Sequence, residues 1–320
     1  MKSMFGKMLC LLLSVLFLSL PLFAAGQAES SAEAYPTKEI TCIVIAAAGG
    51  GTDAMARAVS TPLEKLLGKP IVIMNNGSAG GLIAMGDIKN AKPDGYTIGV
   101  FSNTDVANFA HTQKDLPISV DDYTYIAGLN TTGDILVLKK GSSFSNTNDM
   151  IEYAKKNPKA FTIALPSPIQ EMSLSLINEK MGIQTTGVVY SGGNKVFADL
   201  LGGHIEAGIL SAKFIQQAQD QGLTILGLML SDRLSSFPEV KTFKEQGYAI
   251  DNPARRMLVG PKGMSDVAVK KLVENLKKGY EGPMIDSITT IGEVPALLVG
   301  AELEEFLKAD FAMRKAFLTK

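Results

Sequence analysis

Two glycine-rich turns carry the backbone groups of this sequence that could bind a ligand. Each turn follows a short apolar stretch and precedes a helical pattern, so each sets a helix N-terminus at the end of a strand. A helix N-terminus exposes unpaired N–H groups and the positive end of the helix dipole, and glycine lets a ligand approach that backbone closely. Two such turns side by side predict a clamp for a small anion. The candidate ligand contacts are Ala47, Ala48, Gly49, Gly50, Gly51, Thr52 and Asp53 in the first turn, and Ser78, Ala79, Gly80 and Gly81 in the second.

Small polar residues follow three other predicted strands and extend this candidate site. In an open α/β sheet the carboxyl ends of the strands line the ligand crevice. Hydroxyl and amide groups at those ends suit hydrogen bonding to an oxyanion. The added candidates are Ser102 and Asn103 after the third strand, and Ser167, Ser191, Gly192 and Gly193 in the second half of the chain.

Charged side chains near these turns allow more than one interpretation. Either Thr52 or Asp53 could cap the first helix, and Asp53 fits a cap better than an anion ligand because its charge would repel a carboxylate. The pair Arg255 and Arg256 could supply positive charge to the site, or could be a solvated pair in a loop. We slightly favour the solvated pair.

Nothing in the sequence calls for catalysis, a cofactor or a metal. His111 lies in a polar loop with no partner nearby, His204 belongs to a helix-to-strand corner, and Cys42 has no visible base. The glycines before Thr52 lack the lysine of a phosphate-binding loop, and neither a dinucleotide-binding pattern nor a nucleophile elbow is present. No spacing of His, Cys or carboxylate residues suggests metal ligands. We therefore predict a binding protein that is not an enzyme.

Composition describes a globular, exported protein. The 320 residues are 46% hydrophobic and 20% charged, and the formal net charge of −1 comes without a basic block, which argues against nucleic acid or an anionic membrane surface as a partner. Lysines, an apolar run and small residues at the N-terminus predict a cleaved signal peptide over residues 1–26, then a flexible tether over 27–35. Cleavage leaves Cys42 alone, so stability must come from the core. We expect a periplasmic monomer.

Strand and helix patterns alternate along the rest of the chain. Strands are predicted at 40–46, 71–74, 96–101, 135–138, 161–165, 188–190, 205–210, 224–229 and 257–259. Helices include one closed by Gly68 with a kink at Pro62, one over Val240–Gln246, one capped by Ser265 and one over residues 301–318. This alternation predicts parallel sheets covered on both faces.

Five ordered motifs resemble the substrate-binding proteins of tripartite tricarboxylate transporters, also called Bordetella uptake gene proteins. They are the first glycine turn with its Thr-Asp helix start, the Gly-x-Pro strand and second glycine turn over 68–81, the Pro-Asp-Gly-Tyr-Thr turn at 93–97, the Asp-Leu-Leu-Gly-Gly-His corner at 199–204, and the Pro-x-Val-x-Thr-Phe-x-Glu-x-Gly segment at 238–247. Each motif is weak alone, and their joint order over nearly the whole chain is specific.

The resemblance implies an α/β, two-lobed type II periplasmic-binding-protein fold, or Venus flytrap, each lobe a mixed, mostly parallel sheet flanked by helices. Lobe 1 would comprise residues 36–132 plus 252–320, and lobe 2 residues 133–251. In the family, two strand-turn-helix elements hold a carboxylate through backbone groups and waters, the ligands are organic acids and amino acids, and the partner is a pair of membrane permease subunits.

Several positions depart from the family pattern near the expected pocket. Ala46–Ala48 replaces prolines before the first glycines, Asn76–Ser78 replaces an Arg-Pro-Gly, Leu165–Pro168 replaces a Gly-Ser-x-Gly run, and the arginine pair stands where an aromatic is common. We predict an exported protein that captures a small organic anion and delivers it to such a transporter. An exported enzyme on the same fold and a ligand-sensing subunit of a signalling receptor are the alternatives.

Overall fold

The computed structural model describes residues 35–112 and 118–319. The predicted signal peptide, and all but the last residue of the predicted tether, lie outside this described part. Within it, no helix is both long and apolar enough to cross a membrane. Residues Pro36–Lys320 group as one unit.

Two sheets organise the described chain. The first has the strand order β11-β4-β10-β3-β1-β2 and the second the order β7-β6-β8-β5-β9. The strands are β1 (Ile40–Val44), β2 (Ile71–Asn75), β3 (Thr97–Ser102), β4 (Tyr123–Thr131), β5 (Asp134–Leu138), β6 (Thr162–Leu165), β7 (Thr186–Val189), β8 (Ala207–Ser211), β9 (Thr224–Leu228), β10 (Arg256–Pro261) and β11 (Val294–Leu298).

Both sheets are mixed, with most strands pointing one way. In the first sheet β1 runs parallel to β2 and β3, whereas β10 is antiparallel to β3 and β4, and β11 is antiparallel to β4. In the second sheet β6 runs parallel to β7 and β8, and β5 is antiparallel to β8 and β9. The fully parallel sheets predicted from the alternation are therefore wrong, and the mixed, mostly parallel sheets implied by the family resemblance are confirmed.

Ten α-helices of the described residues connect and cover these strands. They are α1 (Gly51–Leu67), α2 (Leu82–Lys89), α3 (Asn103–Thr112), α4 (Thr147–Lys156), α5 (Glu171–Met181), α6 (Gly193–Leu201), α7 (Ile215–Asp220), α8 (Asp266–Gly279), α9 (Pro283–Thr290) and α10 (Gly300–Leu318). As predicted, α1 ends at Gly68, whose φ of 67° lets the chain turn away from the helix axis.

Three local predictions need correction, and two elements were not predicted. The helix over Val240–Gln246 is a single 3-10 turn, Lys244–Gln246, because the preceding residues pair with Leu228 of β9 instead: the Phe243 N–H donates to the Leu228 carbonyl at 3.0 Å. Ser265 occupies the N-cap position of α8, but its side chain makes no capping hydrogen bond. His111 lies in α3 and not in a loop. The patterns also missed α9 and β11.

Apolar residues bury both faces of the second sheet. Along β5, Leu136 and Leu138 belong to one core cluster, and Ile135 and Val137 belong to the other. Successive strand residues point to opposite faces, so a strand with four successive apolar residues, as in 135–138, needs cover on both sides. This continuous apolar run explains why the strand shows no polar alternation.

Candidate functional site

The first glycine turn leaves the N-terminus of α1 without a side-chain cap. Gly50 holds the N-cap position, and no side chain accepts a hydrogen bond from the first turn of the helix. Residues 47–49 and Gly51 are exposed, whereas Thr52 is half-buried. Exposed small residues therefore surround an uncapped helix start, which suits an anion, although the Gly49 and Gly50 N–H groups already donate to Asp53 and to the Ala47 carbonyl.

Asp53 is turned into the protein and shapes this turn from inside. It is 3% exposed, and its carboxylate accepts hydrogen bonds from the Gly49 N–H at 2.8 Å, Arg57 Nε at 3.0 Å and Asn75 Nδ2 at 3.0 Å. Burial alone would raise the pKa of Asp53, but the bonds from Arg57, Gly49 and Asn75 outweigh it and lower that pKa below its ordinary value.

This geometry corrects two expectations for the first turn. Neither Thr52 nor Asp53 caps α1 in the usual sense, because Gly50 is the N-cap. The predicted ligand contact through Asp53 also does not fit, because its carboxylate is already occupied and faces away from solvent. Asp53 instead fixes the loop from inside by accepting the Gly49 N–H.

The second glycine turn touches the first one directly. A Cβ added at Gly77 would lie 3.1 Å from the Ala47 backbone nitrogen, and one added at Gly81 would lie 2.5 Å from the Ile45 carbonyl oxygen. Gly81 also has a φ of 99°, a conformation that glycine adopts without strain. Ser78, Ala79 and Gly80 are exposed, and Gly81 is buried against the first turn. The two turns thus form one small-residue surface at the ends of β1 and β2.

The residues after β3 are largely used inside the protein. The Ser102 hydroxyl donates to Asp105 Oδ2 at 2.7 Å. Asn103 is fully buried, donates from Nδ2 to Asp310 at 2.8 Å and accepts the Arg255 N–H at 2.8 Å. Both side chains close the start of α3, and a ligand contact through Ser102 or Asn103 stays a prediction.

The second sheet brings its predicted residues into one cavity of about 330 Å³. It lies at the carboxyl ends of β6, β7 and β8. Among the residues lining it are Ser167, Ser191, Gly192, Gly193 and Lys213. Gly192 is the N-cap of α6 and has a φ of 128°, so this cavity also opens on an uncapped helix start. Small polar groups and a lysine suit a small anion here as well.

The arginine pair is not a solvated loop pair, and its two members have different environments. Arg255 is half-buried, with its guanidinium 5.0 Å from the Phe306 ring centroid, and burial lowers its pKa. Arg256 lies at the first turn, because a Cβ added at Gly51 would be 2.8 Å from Arg256 Nη2. Arg256 Nη1 donates to Glu293 Oε1 at 2.7 Å.

A buried asparagine hydrogen-bonds both Arg256 and its partner Glu293. Asn130 on β4 is fully buried, donates to Glu293 Oε2 at 2.8 Å and accepts the Arg256 N–H at 2.8 Å. Arg256 therefore sits in a fixed position beside the positive end of the α1 dipole, with Glu293 offsetting its charge. No sequence pattern singled out Glu293 or Asn130, which are distant from Arg256 along the chain.

Two other cavities are also present. One of about 280 Å³ lies between the two halves, with Thr104 and Ala107 of α3 on one side and Ile169 and Met172 on the other. A wider cavity of about 460 Å³ lies near the start of α4 and contains none of the predicted residues.

The described residues offer no reactive constellation. Burial raises the pKa of the Cys42 thiol to about 12, which keeps it protonated and unreactive. His204 lies exposed at the corner after α6, where its N–H donates to the Asp199 carbonyl at 2.9 Å. Over residues 35–112 and 118–319, no group of three His, Cys, Asp or Glu side chains could hold a metal ion.

Known proteins resemble this chain over most of its length. The family model described as "Tripartite tricarboxylate transporter family receptor" matches residues 55–317. A Cupriavidus necator protein, named UPF0065 protein in gbd 5'region, is 28% identical over 300 residues, covering 93% of this chain and 91% of its own. A TctC solute binding protein from Polaromonas superposes with a TM-score of 0.80 at 25% identity, covering 89% of this chain and 99% of its own.

Two further solved structures share the fold. MatC from Rhodopseudomonas palustris, with bound malate, has a TM-score of 0.67 at 22% identity and covers 89% of this chain and 100% of its own. A second R. palustris protein, with adipate, has a TM-score of 0.71 at 20% identity and covers 89% of this chain and 97% of its own.

These matches confirm the family resemblance and the two-sheet α/β fold of periplasmic binding proteins. The family and its solved neighbours are substrate-binding proteins and not enzymes. The chain belongs to the tripartite tricarboxylate transporter receptor family of periplasmic solute-binding proteins.

Proposed function

We propose that this protein captures a small organic anion between the glycine turns of the first sheet and the cavity of the second. The observation that carries the proposal is the contact between the two turns, which places two strand-to-helix junctions of small residues side by side. Most residues of both turns are small and exposed, so no bulky side chain from either turn covers the two helix starts. The malate and adipate in the two neighbouring structures support a carboxylate as the ligand class.

Arg256 provides the fixed positive charge of the first half of this site. A hydrogen bond to a charged group contributes about 1.5–3 kcal/mol, whereas a helix terminus contributes about 0.3–1 kcal/mol. Micromolar binding needs about 8 kcal/mol, so helix termini alone are insufficient. The Arg256 guanidinium beside Gly51 adds a charged donor where the ligand carboxylate would lie. Glu293 keeps it from swinging away when the site is empty.

Lys213 gives the second half its own positive charge. It lines the 330 Å³ cavity with Gly192 and Gly193, and its side chain is exposed. A ligand with a carboxylate at each end would meet Arg256 in one half and Lys213 in the other. This arrangement favours a dicarboxylate over a monocarboxylate.

Domain organisation and cellular role extend this proposal. The first sheet draws its strands from residues 40–131 and 256–298, and the second from 134–228, which supports lobes at 36–132 plus 252–320 and at 133–251. The lobes would close on the anion about the crossovers near residues 132 and 252. The signal peptide at 1–26 would export the chain, and the monomer would deliver its ligand to paired permease subunits of a tripartite tricarboxylate-type transporter.

Isothermal calorimetry against malate, adipate, their monoamides and neutral diols tests the function. We expect at least one dicarboxylate to bind and to raise the melting temperature, since a ligand held only by the native state stabilises it. Arg256→Met should weaken the dicarboxylate by about tenfold or more, as expected when a charge-assisted hydrogen bond is lost. Arg233→Met is the matched control, because Arg233 pairs with Glu245 on the surface and lines none of these cavities.

Two results would contradict the proposal. The first is the absence of heat and of thermal shift with every anion of a broad carboxylate and amino-acid panel. The second is a dicarboxylate that binds Arg256→Met and the wild type equally well, which would remove Arg256 from the site. Crystals grown with the bound anion would then show which groups hold it.

A further inference from the structure

The cavity of about 280 Å³ between the two halves adjoins the first half of the candidate site. On the first-sheet side it is lined by Thr104 of α3, whose hydroxyl lies 2.6 Å from the Ser102 hydroxyl. Ser102 is the cross-strand partner of Arg256, so the two side chains lie on the same face of the sheet. One wall of the cavity is therefore continuous with the strand ends that hold Arg256 against Gly51.

On the second-sheet side the same cavity adjoins the second half of the site. Ile169 and Met172 line the 280 Å³ cavity, whereas Ser167 and Gln170 line the 330 Å³ cavity. All four lie within residues 167–172, where the chain passes from β6 into α5. An extended ligand that spans the two halves would therefore place its middle in the 280 Å³ cavity.

The walls of this middle cavity are mostly apolar. Ile169 is 46% exposed, and the other apolar residues of the lining are Ala107, Met172, Phe317 and Leu318. The neutral polar residues of the lining are Thr104 and Asn108, both on α3. Apolar walls stabilise the methylene groups of a ligand by removing them from water, whereas a ligand hydroxyl that faces them loses its hydrogen bonds to water.

The charges of the lining disfavour a carboxylate in this cavity. Among the described residues that line it, Arg314 is the one cationic side chain, and it is only 4% exposed. Arg314 pairs with Asp310 at 2.9 Å and donates to Asn252 Oδ1 at 3.1 Å and to Met172 Sδ at 3.4 Å, so its charge is already offset. Glu171 also lines the cavity and is exposed. A carboxylate placed here would therefore meet a like charge.

We propose that this cavity binds the hydrocarbon middle of an aliphatic dicarboxylate, and that Ile169 and Glu171 determine specificity there. Ile169 disfavours a hydroxyl on the middle carbons of the ligand, and Glu171 disfavours a third carboxylate. The two end carboxylates bind outside the cavity, at Arg256 and at Lys213. The protein thereby prefers an unsubstituted dicarboxylate to a hydroxylated dicarboxylate or a tricarboxylate with the same carbon spine. This inference rests on the proposed function of the two half-sites.

Calorimetry at about pH 8, where carboxyl groups are ionised, tests the proposal with acids of matched length. Succinate, glutarate and adipate first identify the carbon spine that binds. Malate, β-hydroxyglutarate and β-hydroxyadipate add a hydroxyl to these spines, and carboxysuccinate, tricarballylate and β-carboxyadipate add a carboxylate. We expect the unsubstituted acid to bind about tenfold or more tightly than its hydroxylated counterpart. We expect a similar preference, about tenfold or more, over the tricarboxylate.

Two variants with matched controls assign each preference to its residue. Ile169→Thr places a hydroxyl in the wall and should reduce the preference over the hydroxylated acid by about threefold or more. Ile285→Thr is its control, because Ile285 is 40% exposed on α9 and lines neither cavity. Glu171→Gln removes the like charge and should reduce the preference over the tricarboxylate by about threefold or more. Glu179→Gln is its control, because Glu179 is exposed on the same helix and lines neither cavity.

The outcomes separate this inference from the proposed function. If the wild type binds a hydroxylated acid or a tricarboxylate as tightly as the unsubstituted acid, the inference is overturned and the anion-binding function stands. The same holds if Ile169→Thr or Glu171→Gln keeps the full wild-type preference, or if only anions outside this series bind. Failure of the wild type to bind any anion of the wider carboxylate and amino-acid panel would overturn the proposed function, and the inference with it.

Discussion

The contact between the two glycine turns predicts that Gly81 cannot carry a side chain. Gly81 has a φ of 99°, and a Cβ there would lie 2.5 Å from the Ile45 carbonyl oxygen and 2.8 Å from Ile45 Cβ. Both atoms belong to or adjoin the backbone of the first turn, so neither can move aside as a flexible side-chain end would. Gly81→Ala therefore has to separate the two turns.

The expected loss of stability has two parts. A left-handed conformation costs a non-glycine residue about 1–2 kcal/mol. Forcing an extra carbon into an occupied space costs about 1–3 kcal/mol more. The sum is about 2–5 kcal/mol, a large share of a typical unfolding free energy of about 5–15 kcal/mol. Gly203→Ala is the matched control, because Gly203 has a φ of 70° with nothing within 4 Å of its Cβ position, and should lose only the first part.

Urea denaturation of both variants and the wild type measures these losses, followed by calorimetry with the bound anion. We expect Gly81→Ala to be destabilised by about 1–3 kcal/mol more than Gly203→Ala and to lose anion affinity, while Gly203→Ala keeps it. Equal destabilisation of the two variants would refute the contact between the turns. Unchanged affinity in a destabilised Gly81→Ala would refute its importance for binding.

Three further predictions follow from buried groups. Burial raises the pKa of Cys42 to about 12, so its thiol should resist alkylation in the native protein at about pH 8 and react once the protein is unfolded. Mass spectrometry measures the labelling. Labelling of the native protein would contradict the burial of Cys42. Asp53→Asn should lower the free energy of unfolding by about 1–3 kcal/mol at neutral pH. Because the folded pKa of Asp53 is lowered, the stability from its charge is present above the unfolded pKa and is lost as pH falls through the folded pKa. Denaturation curves of the variant and the wild type should therefore converge in acid. Arg314→Met should lower the free energy of unfolding by about 3–5 kcal/mol, since it leaves the buried Asp310 charge uncompensated. Arg233→Met, at an exposed ion pair, should lower it by at most about 1 kcal/mol. Similar losses for the two variants in urea denaturation would contradict this difference.

The glycine turns were predictable because their signal is local. An apolar run, then small residues, then a helical period specifies a strand, a turn and a helix within a short stretch of chain, whatever the rest of the fold does. The same holds for the stop of α1 at Gly68 and for most strands of the second sheet. The ordered motifs together indicated the family, although no single one of them is specific alone.

Side-chain direction was less predictable from the sequence. Asp53 and Asn103 follow strand ends as polar residues do in many binding sites, yet both turn inward to hold the backbone. The helix over Val240–Gln246 was wrong for a related reason: a hydrogen bond from Phe243 to β9 overrides the local helical period. In each case a partner that is distant in sequence decides between two locally acceptable conformations.

The sequence by itself determined most of the strands and helices, the two small-residue turns and the family, since each depends on neighbouring residues. Only the tertiary structure decided that Arg256 lies against Gly51 with Glu293 as its partner, and that Asn103 turns inward to bond Asp310 of α10. Those contacts join residues from separate elements of the chain. They form only when the two sheets and α10 pack together, and a local sequence pattern does not specify which distant residues then come into contact.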